Sequence, residues 1–139
     1  MFDSVTFSAL SSALDGLSLR QRAIADNIAN VNTVRPAGED AFAARYGVAE
    51  AVDYGGAAAP GIGNGARVQR VAFGSDEGRA VYAPDHPYAD AEGMIRVPDI
   101  DMNEQMTSMI VAQRSYQANV SVVERARAAY EAALRIGSR

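Results

Sequence analysis

Two stretches of this chain repeat apolar side chains in alternating steps of three and four, and the stretch between them does not. Near the start, Phe7, Leu10, Leu14, Leu17, Ile24, Ile28 and Val31 keep that rhythm, with polar Gln21 as the exception in the series. Such spacing holds side chains on one face of an α-helix, and a seven-residue repeat makes a narrow seam suited to a coiled-coil-like partner. It predicts a helix over 3–31. Asp3 or Ser4 can cap its start, and Gly16 costs it ~1 kcal/mol relative to alanine.

A second helix is predicted over 101–136. Met102, Met109, Tyr116, Val123 and Tyr130 form one seven-residue series, and Met106, Gln113, Val120, Arg127 and Leu134 form another. Together they make one stripe with polar breaks at Gln113 and Arg127. Asp101 and Glu104 have capping-box spacing, with aspartate in place of Ser or Thr. Arg127–Glu131 and Glu131–Arg135 are i,i+4 pairs, and Gly137 is placed to end the helix.

Between them the period is lost. Asn32, Pro36-Ala37-Gly38, Gly55-Gly56, Pro60-Gly61, Gly63-Asn64-Gly65 and Pro84 punctuate the chain. Short runs at Phe42–Ala49, Arg67–Phe73, Arg79–Ala83 and Met94–Val97 suit strands. The Gly- and Ala-rich stretch 55–65 suits a mobile loop. The expectation is a mainly α fold with a small β-rich insert. Its long N- and C-terminal helices pair as a coiled-coil-like hairpin and carry a middle β/loop domain. The segments divide as 1–33 and 101–139 for the inner helical domain and 34–100 for the middle domain. One antiparallel partner buries too little apolar surface to offset the entropy of ordering helices this long. The terminal helices are therefore expected to gain order by packing against neighbouring subunits.

Composition narrows the function. The 139 residues suit a single domain with extensions, and the hydrophobic fraction is 48%, much of it alanine. Thirteen basic against 17 acidic side chains leave a net charge of −4, which argues against a nucleic-acid partner. There is no cysteine, so disulfides, thiolate metal sites and cysteine nucleophiles are excluded. No apolar run approaches the ~20 residues that cross a bilayer. Met1-Phe2-Asp3-Ser4-Val5-Thr6 lacks the basic and apolar regions of a secretory signal. The expectation is a cytoplasmic protein, or one exported by a route that leaves its N-terminus intact.

Candidate chemistry is thin. His86 lies between Pro84 and Pro87 with Asp85 and Asp90 nearby, but one histidine without cysteine makes a poor transition-metal site. Asp85, Asp90, Glu92, Asp99 and Asp101 cluster without the glycine of a calcium loop, and turn or helix-start roles suit them better. The glycines at 61, 63 and 65 lack the strand-then-helix setting of a dinucleotide site, and no Gly-x-Ser-x-Gly elbow occurs. No catalytic residue, metal, cofactor or small-molecule substrate is expected. Asn27, Asn30, Asn32 and Thr33 cluster where the first helix ends. Turn chemistry explains one or two asparagines, less easily three.

The segment Leu19-Arg20-Gln21-Arg22-Ala23-Ile24-Ala25-Asp26-Asn27-Ile28-Ala29-Asn30-Val31-Asn32-Thr33 resembles the N-terminal motif of the flagellar rod and hook axial-protein family. A narrower resemblance, to the proximal-rod members, lies in Tyr82-Ala83-Pro84-Asp85-His86-Pro87-Tyr88-Ala89-Asp90-Ala91-Glu92-Gly93-Met94-Ile95-Arg96-Val97-Pro98. It continues in Met106-Thr107-Ser108-Met109-Ile110, Arg114-Ser115-Tyr116-Gln117-Ala118-Asn119-Val120 and Leu134-Arg135-Ile136-Gly137. Asp99-Ile100-Asp101 departs from the family, which typically has Asn-Val-Asn or Asn-Val-Asp there.

The resemblance implies a structural subunit of the basal-body rod, not an enzyme. It implies export through the flagellar type III apparatus without a cleaved signal. It also implies assembly in the periplasm with copies of itself, other rod proteins, the rod adaptor and the membrane-ring protein, and transmission of torque to the hook. The two seams are then assembly seams, and Asn27, Asn30, Asn32 and Thr33 are the family motif. Alternatives are another axial protein, such as a paralogous rod subunit, a helical-bundle adaptor, or a small secreted wall hydrolase using Glu92 and Asp99.

Overall fold

The computed structural model describes residues 2–51 and 66–137, with side chains described at 10–50 and 70–137. The Gly/Ala-rich stretch 55–65 and the Phe7 side chain lie outside these. Helix α1 runs Phe2–Asn30 and helix α2 runs Met102–Gly137, 29 and 36 residues. Between them come strands β1 (Arg35–Pro36), β2 (Arg45–Ala51), β3 (Ala66–Phe73), β4 (Arg79–Tyr82) and β5 (Met94–Val97).

Local chemistry sets the helix ends. At the close of α1 the Thr33 amide donates to the Asn30 carbonyl at 2.9 Å, and the Asn30 side-chain amide donates to the Asp26 carbonyl at 2.8 Å. The first satisfies a carbonyl that a helix end leaves bare, and the second folds the Asn30 side chain back onto the last turn. At the start of α2, Asp101 Oδ1 accepts from the amides of Asn103 (2.7 Å) and Glu104 (3.2 Å), the aspartate half of the expected cap.

The strands make two small antiparallel sheets. One has the order β1-β5-β4, with Arg35 opposite Arg96 and Val81 opposite Ile95. The other is a β2–β3 ribbon whose register shifts between Val48 and Ala49, so that Gln69 on β3 is the extra residue of a bulge. Arg96 ties the first sheet to its surroundings by donating to the carbonyls of Ala37 (3.0 Å) and Glu77 (2.5 Å). Gly78 has φ +60°, and a Cβ there would strike the Val97 carbonyl and the Ala41 methyl. Only glycine fits that turn.

The expected fold class needs correction. The chain is α+β: the five strands in two sheets among the described residues are too much for a small insert in a mainly α protein. Nor do the helices pair as a self-contained coiled-coil-like hairpin. The β2–β3 ribbon packs on α1 alongside α2, so α1 is shared between a sheet and a helix. The residues that α2 buries are Gln105 and Ala112, with Met102, Ser108, Met109, Ser115, Asn119, Val120, Val123 and Ala126 half-buried. That set is mostly small or polar, unlike the large apolar knobs of a coiled coil. From Arg127 to Gly137 every residue is exposed, so the end of α2 is not buried within the described chain.

The buried apolar residues fall in two groups. Ala23 and Ile24 of α1 and Ala112 of α2 belong to the helices, while Ala41, Ala44, Ile95 and Ile100 belong to the middle region and its return to α2. Pro98, fully buried, lies four residues before α2 and disfavours helical backbone at Val97.

Candidate functional site

Asn27 is the only fully buried residue of the motif that ends α1. Its side-chain amide is used on both sides. Oδ1 accepts from the Arg45 amide at 2.7 Å, and Nδ2 donates to the Arg45 carbonyl at 2.9 Å and to Gln105 Oε1 at 3.0 Å. Toward Arg45 it behaves as a neighbouring strand would, pairing both backbone groups of the first residue of β2. Toward Gln105, itself 6% exposed, it reaches the first turns of α2. One side chain thus joins α1, β2 and α2. Buried polar groups are costly unless paired, so this set tolerates one register of α2 against α1 and few others.

The rest of the cluster braces Asn27. Arg45 forms an ion pair with Asp26, one residue before it, and its guanidinium stands over the Phe42 ring at 5.4 Å. The pair is nearly half exposed on both sides, so it orients more than it stabilises. Arg45 Nε is buried without a partner among the described residues, beside a recess of about 240 Å³ lined also by Arg20, Tyr46, Glu104 and Ser108. Thr33 Oγ1 donates to Asn30 Oδ1 at 3.3 Å, whereas Asn32 is exposed. Sequence reasoning singled out Asn27, Asn30, Asn32 and Thr33. It missed Gln105 and Arg45, whose only signal was a polar residue among the small ones of α2 and an arginine opening a strand.

The 83–93 connection is a scaffolded loop. Asp90 Oδ1 accepts from the amides of Glu92 (3.0 Å) and Met94 (2.7 Å), and the Asp90 amide donates to the Met94 carbonyl at 3.0 Å. His86 Nδ1 accepts from the Tyr88 amide at 3.2 Å, and the two rings are 5.5 Å apart. Gly93 closes the loop at φ +74°, where a Cβ would press on Tyr82 and Pro84. Two of the candidate carboxylates, Asp90 and Asp101, are therefore spent on backbone amides. Among the described residues no three acids or histidines converge as a metal site.

The seam positions divide by exposure. On α1, Ile24 is buried, and Leu10, Leu14, Leu17, Gln21 and Ile28 are half-buried, as is Val31 just beyond the helix. On α2, Met102, Met109, Val120 and Val123 are half-buried, whereas Met106, Gln113, Tyr116, Arg127, Tyr130 and Leu134 are exposed. Ile110, Val111, Val122 and Ile136 are exposed as well. Alpha2 therefore shows large apolar side chains to solvent along most of its length. No helix among the described residues is long and apolar enough to cross a membrane.

Comparison with known proteins gives these features a family. A family model described as Flagella basal body rod protein matches residues 7–36, which include the motif that ends α1. Another, described as Flagellar basal body rod FlgEFG protein C-terminal, matches residues 91–136. The flagellar basal-body rod protein FlgC of Yersinia enterocolitica is 36% identical over 118 residues, 84% of each chain. That of Salmonella typhimurium is 35% identical over 118 residues, again 84% of each chain. That of Borreliella burgdorferi is 33% identical over 146 aligned positions, covering 94% of this chain and 96% of its own. On this similarity across most of its length, the chain belongs to the FlgC family of flagellar basal-body rod proteins, structural subunits of the proximal rod.

Proposed function

We propose that this rod subunit joins its neighbours through its two terminal helices, and that the shaft so built carries torque from motor to hook. The observation that carries the proposal is the line of large apolar side chains left bare on α2, including Met106, Tyr116, Tyr130 and Leu134. Isolated soluble domains seldom expose contiguous apolar surface of this kind unless something covers it. The seam positions on both helices are then contact positions between subunits. The segments 1–33 and 101–139 form the inner part of the wall, and 34–100 lies outside it.

A tube of such subunits resists twisting for a simple reason. Sliding one helix along its neighbour exposes apolar side chains and misplaces polar ones, and both changes cost free energy. Within each subunit the Asn27–Gln105–Arg45 cluster keeps the helices from slipping against each other.

The partners proposed are copies of the chain, the other rod proteins, the rod adaptor and the membrane-ring protein. Delivery is by the flagellar type III apparatus to the periplasm, without a cleaved signal. No catalytic role is proposed. The relatives are rod proteins, and the wall-hydrolase reading of Glu92 and Asp99 gains no support from them.

Imaging basal bodies isolated from a strain lacking the gene tests this reading. The expected result is a membrane ring with no rod above it, restored by the intact gene. Complete rods in the deletion strain would overturn it.

A further inference from the structure

We infer that a recess where α1, β2 and α2 meet is a socket for the distal end of α2 from a second copy, so that copies join head to tail. The inference rests on the reading of the chain as a rod subunit. The recess holds about 330 Å³ and is lined by Ala13, Gly16, Leu17, Gly47 and Ala49, residues mostly too small to fill it themselves. That volume lies at the low end of concave sites that take ligands, roughly 300–1,000 Å³.

The occupant is found at the other end of the same chain. Tyr130 and Leu134 are four residues apart, hence on one face of α2, and are 41% and 56% exposed. They continue the line of Val123 and Ala126, which are half-buried on the side of α2 that includes buried Ala112. The face that α2 uses within its own subunit thus runs on, apolar and exposed, at Tyr130 and Leu134. It cannot reach its own recess. Alpha2 is unbroken from Met102 to Gly137, so Leu134 lies about 22 Å along the axis from Asn119, which lines the recess. The side chain that fills the recess must come from another molecule.

Charge agrees with this pairing. Arg20 also lines the recess and makes no ion pair among the described residues. Glu131 adjoins Tyr130 in sequence and pairs with Arg127 at 3.2 Å in the single chain, and docking brings that carboxylate toward Arg20 as well. Knob and socket occupy different parts of the surface, which makes the contact heterologous. Contacts of that kind do not close on themselves in pairs but propagate as rings or open helices, the geometry a rod requires.

The chain has no cysteine, so a pair of introduced thiols reports this contact without background. Cells carry Ala49→Cys/Leu134→Cys as their sole copy, both sites being exposed in the isolated chain. Their basal bodies are purified, oxidised and run without reductant. A disulfide needs Cα atoms within about 7 Å, so docking is expected to give a ladder of dimers and higher species. Either single variant should give at most dimers, and Glu77→Cys/Leu134→Cys should give no ladder. If rods contain the double variant but show no ladder beyond these controls, the socket is overturned and the rod reading stands. If the parent chain without added cysteines is also absent from basal bodies, both are overturned.

Discussion

Replacing Asn27 with alanine is expected to destabilise the folded chain by roughly 2–5 kcal/mol, because it takes a hydrogen bond from three partners at once. The Arg45 amide, the Arg45 carbonyl and Gln105 Oε1 all lose their hydrogen bond to a side chain that is fully buried. Against a total stability of about 5–15 kcal/mol for a typical domain, that is a large share. Asn27→Asp is expected to do no better. It keeps the acceptor for the Arg45 amide but places carboxylate oxygens against the Arg45 carbonyl and Gln105 Oε1. Asn32→Ala, at an exposed position of the same motif, should stay within about 0.5 kcal/mol of the parent. Denaturant midpoints of the purified variants measure this. Equal midpoints for Asn27→Ala and Asn32→Ala would remove Asn27 from its place as the lock.

The second large effect is on assembly. Val120→Asp, half-buried on α2, and Leu17→Asp, half-buried on α1, are each expected to abolish rod formation and swimming while leaving export intact. A carboxylate forced into an apolar contact costs several kcal/mol unless it finds a partner. In a polymer every copy repeats that cost. On the proposed delivery route the chain is exported unfolded, so export would not depend on these contacts. The variant protein should therefore be recovered outside the cytoplasm but not in basal bodies. Motile cells carrying either substitution would remove the residue from the proposed seam.

Much of this architecture is legible in the chain itself, and the parts that are not have physical reasons. Alpha1 and α2 declare themselves through long apolar periods and start or stop within a residue or two of the expected positions. The middle region does not. Beta1 is two residues long and exists only because Arg35 and Pro36 meet Arg96 and Ile95 from much later in the chain. No local pattern encodes such a pairing. The bulge at Gln69 is equally silent, because β propensity says nothing of register.

The hairpin expectation failed for a specific reason. Following large apolar residues along α2 traces Met106, Tyr116 and Leu134, which are bare in the single chain. The residues that face inward are Gln105, Ser108, Ala112, Ser115, Asn119 and Ala126 together with half-buried Met102, Met109, Val120 and Val123, so most of that side is small or polar and carries little hydrophobic signal. Small side chains let other elements approach closely. The β2–β3 ribbon then takes the flank of α1 that a simple hairpin would leave to solvent.

The motif shows the same division. Three asparagines and a threonine at 27–33 flag more than turn chemistry. Only the fold reveals that Asn27 serves a strand and a second helix, whereas Asn30 and Thr33 serve the turn. Gln105 lies 78 residues from Asn27, beyond the reach of any local pattern.

The central claim is that the apolar side of α2, bare in one molecule, is covered by neighbours in the rod. Thiol labelling tests it most directly, because the parent chain offers no cysteine of its own. Met106→Cys and Tyr130→Cys are labelled with a maleimide, once in the dilute purified chain and once in isolated basal bodies. Rapid labelling of the free chain and strong protection of both sites in the rod is the expected result. Equal labelling rates in the two states would contradict the account.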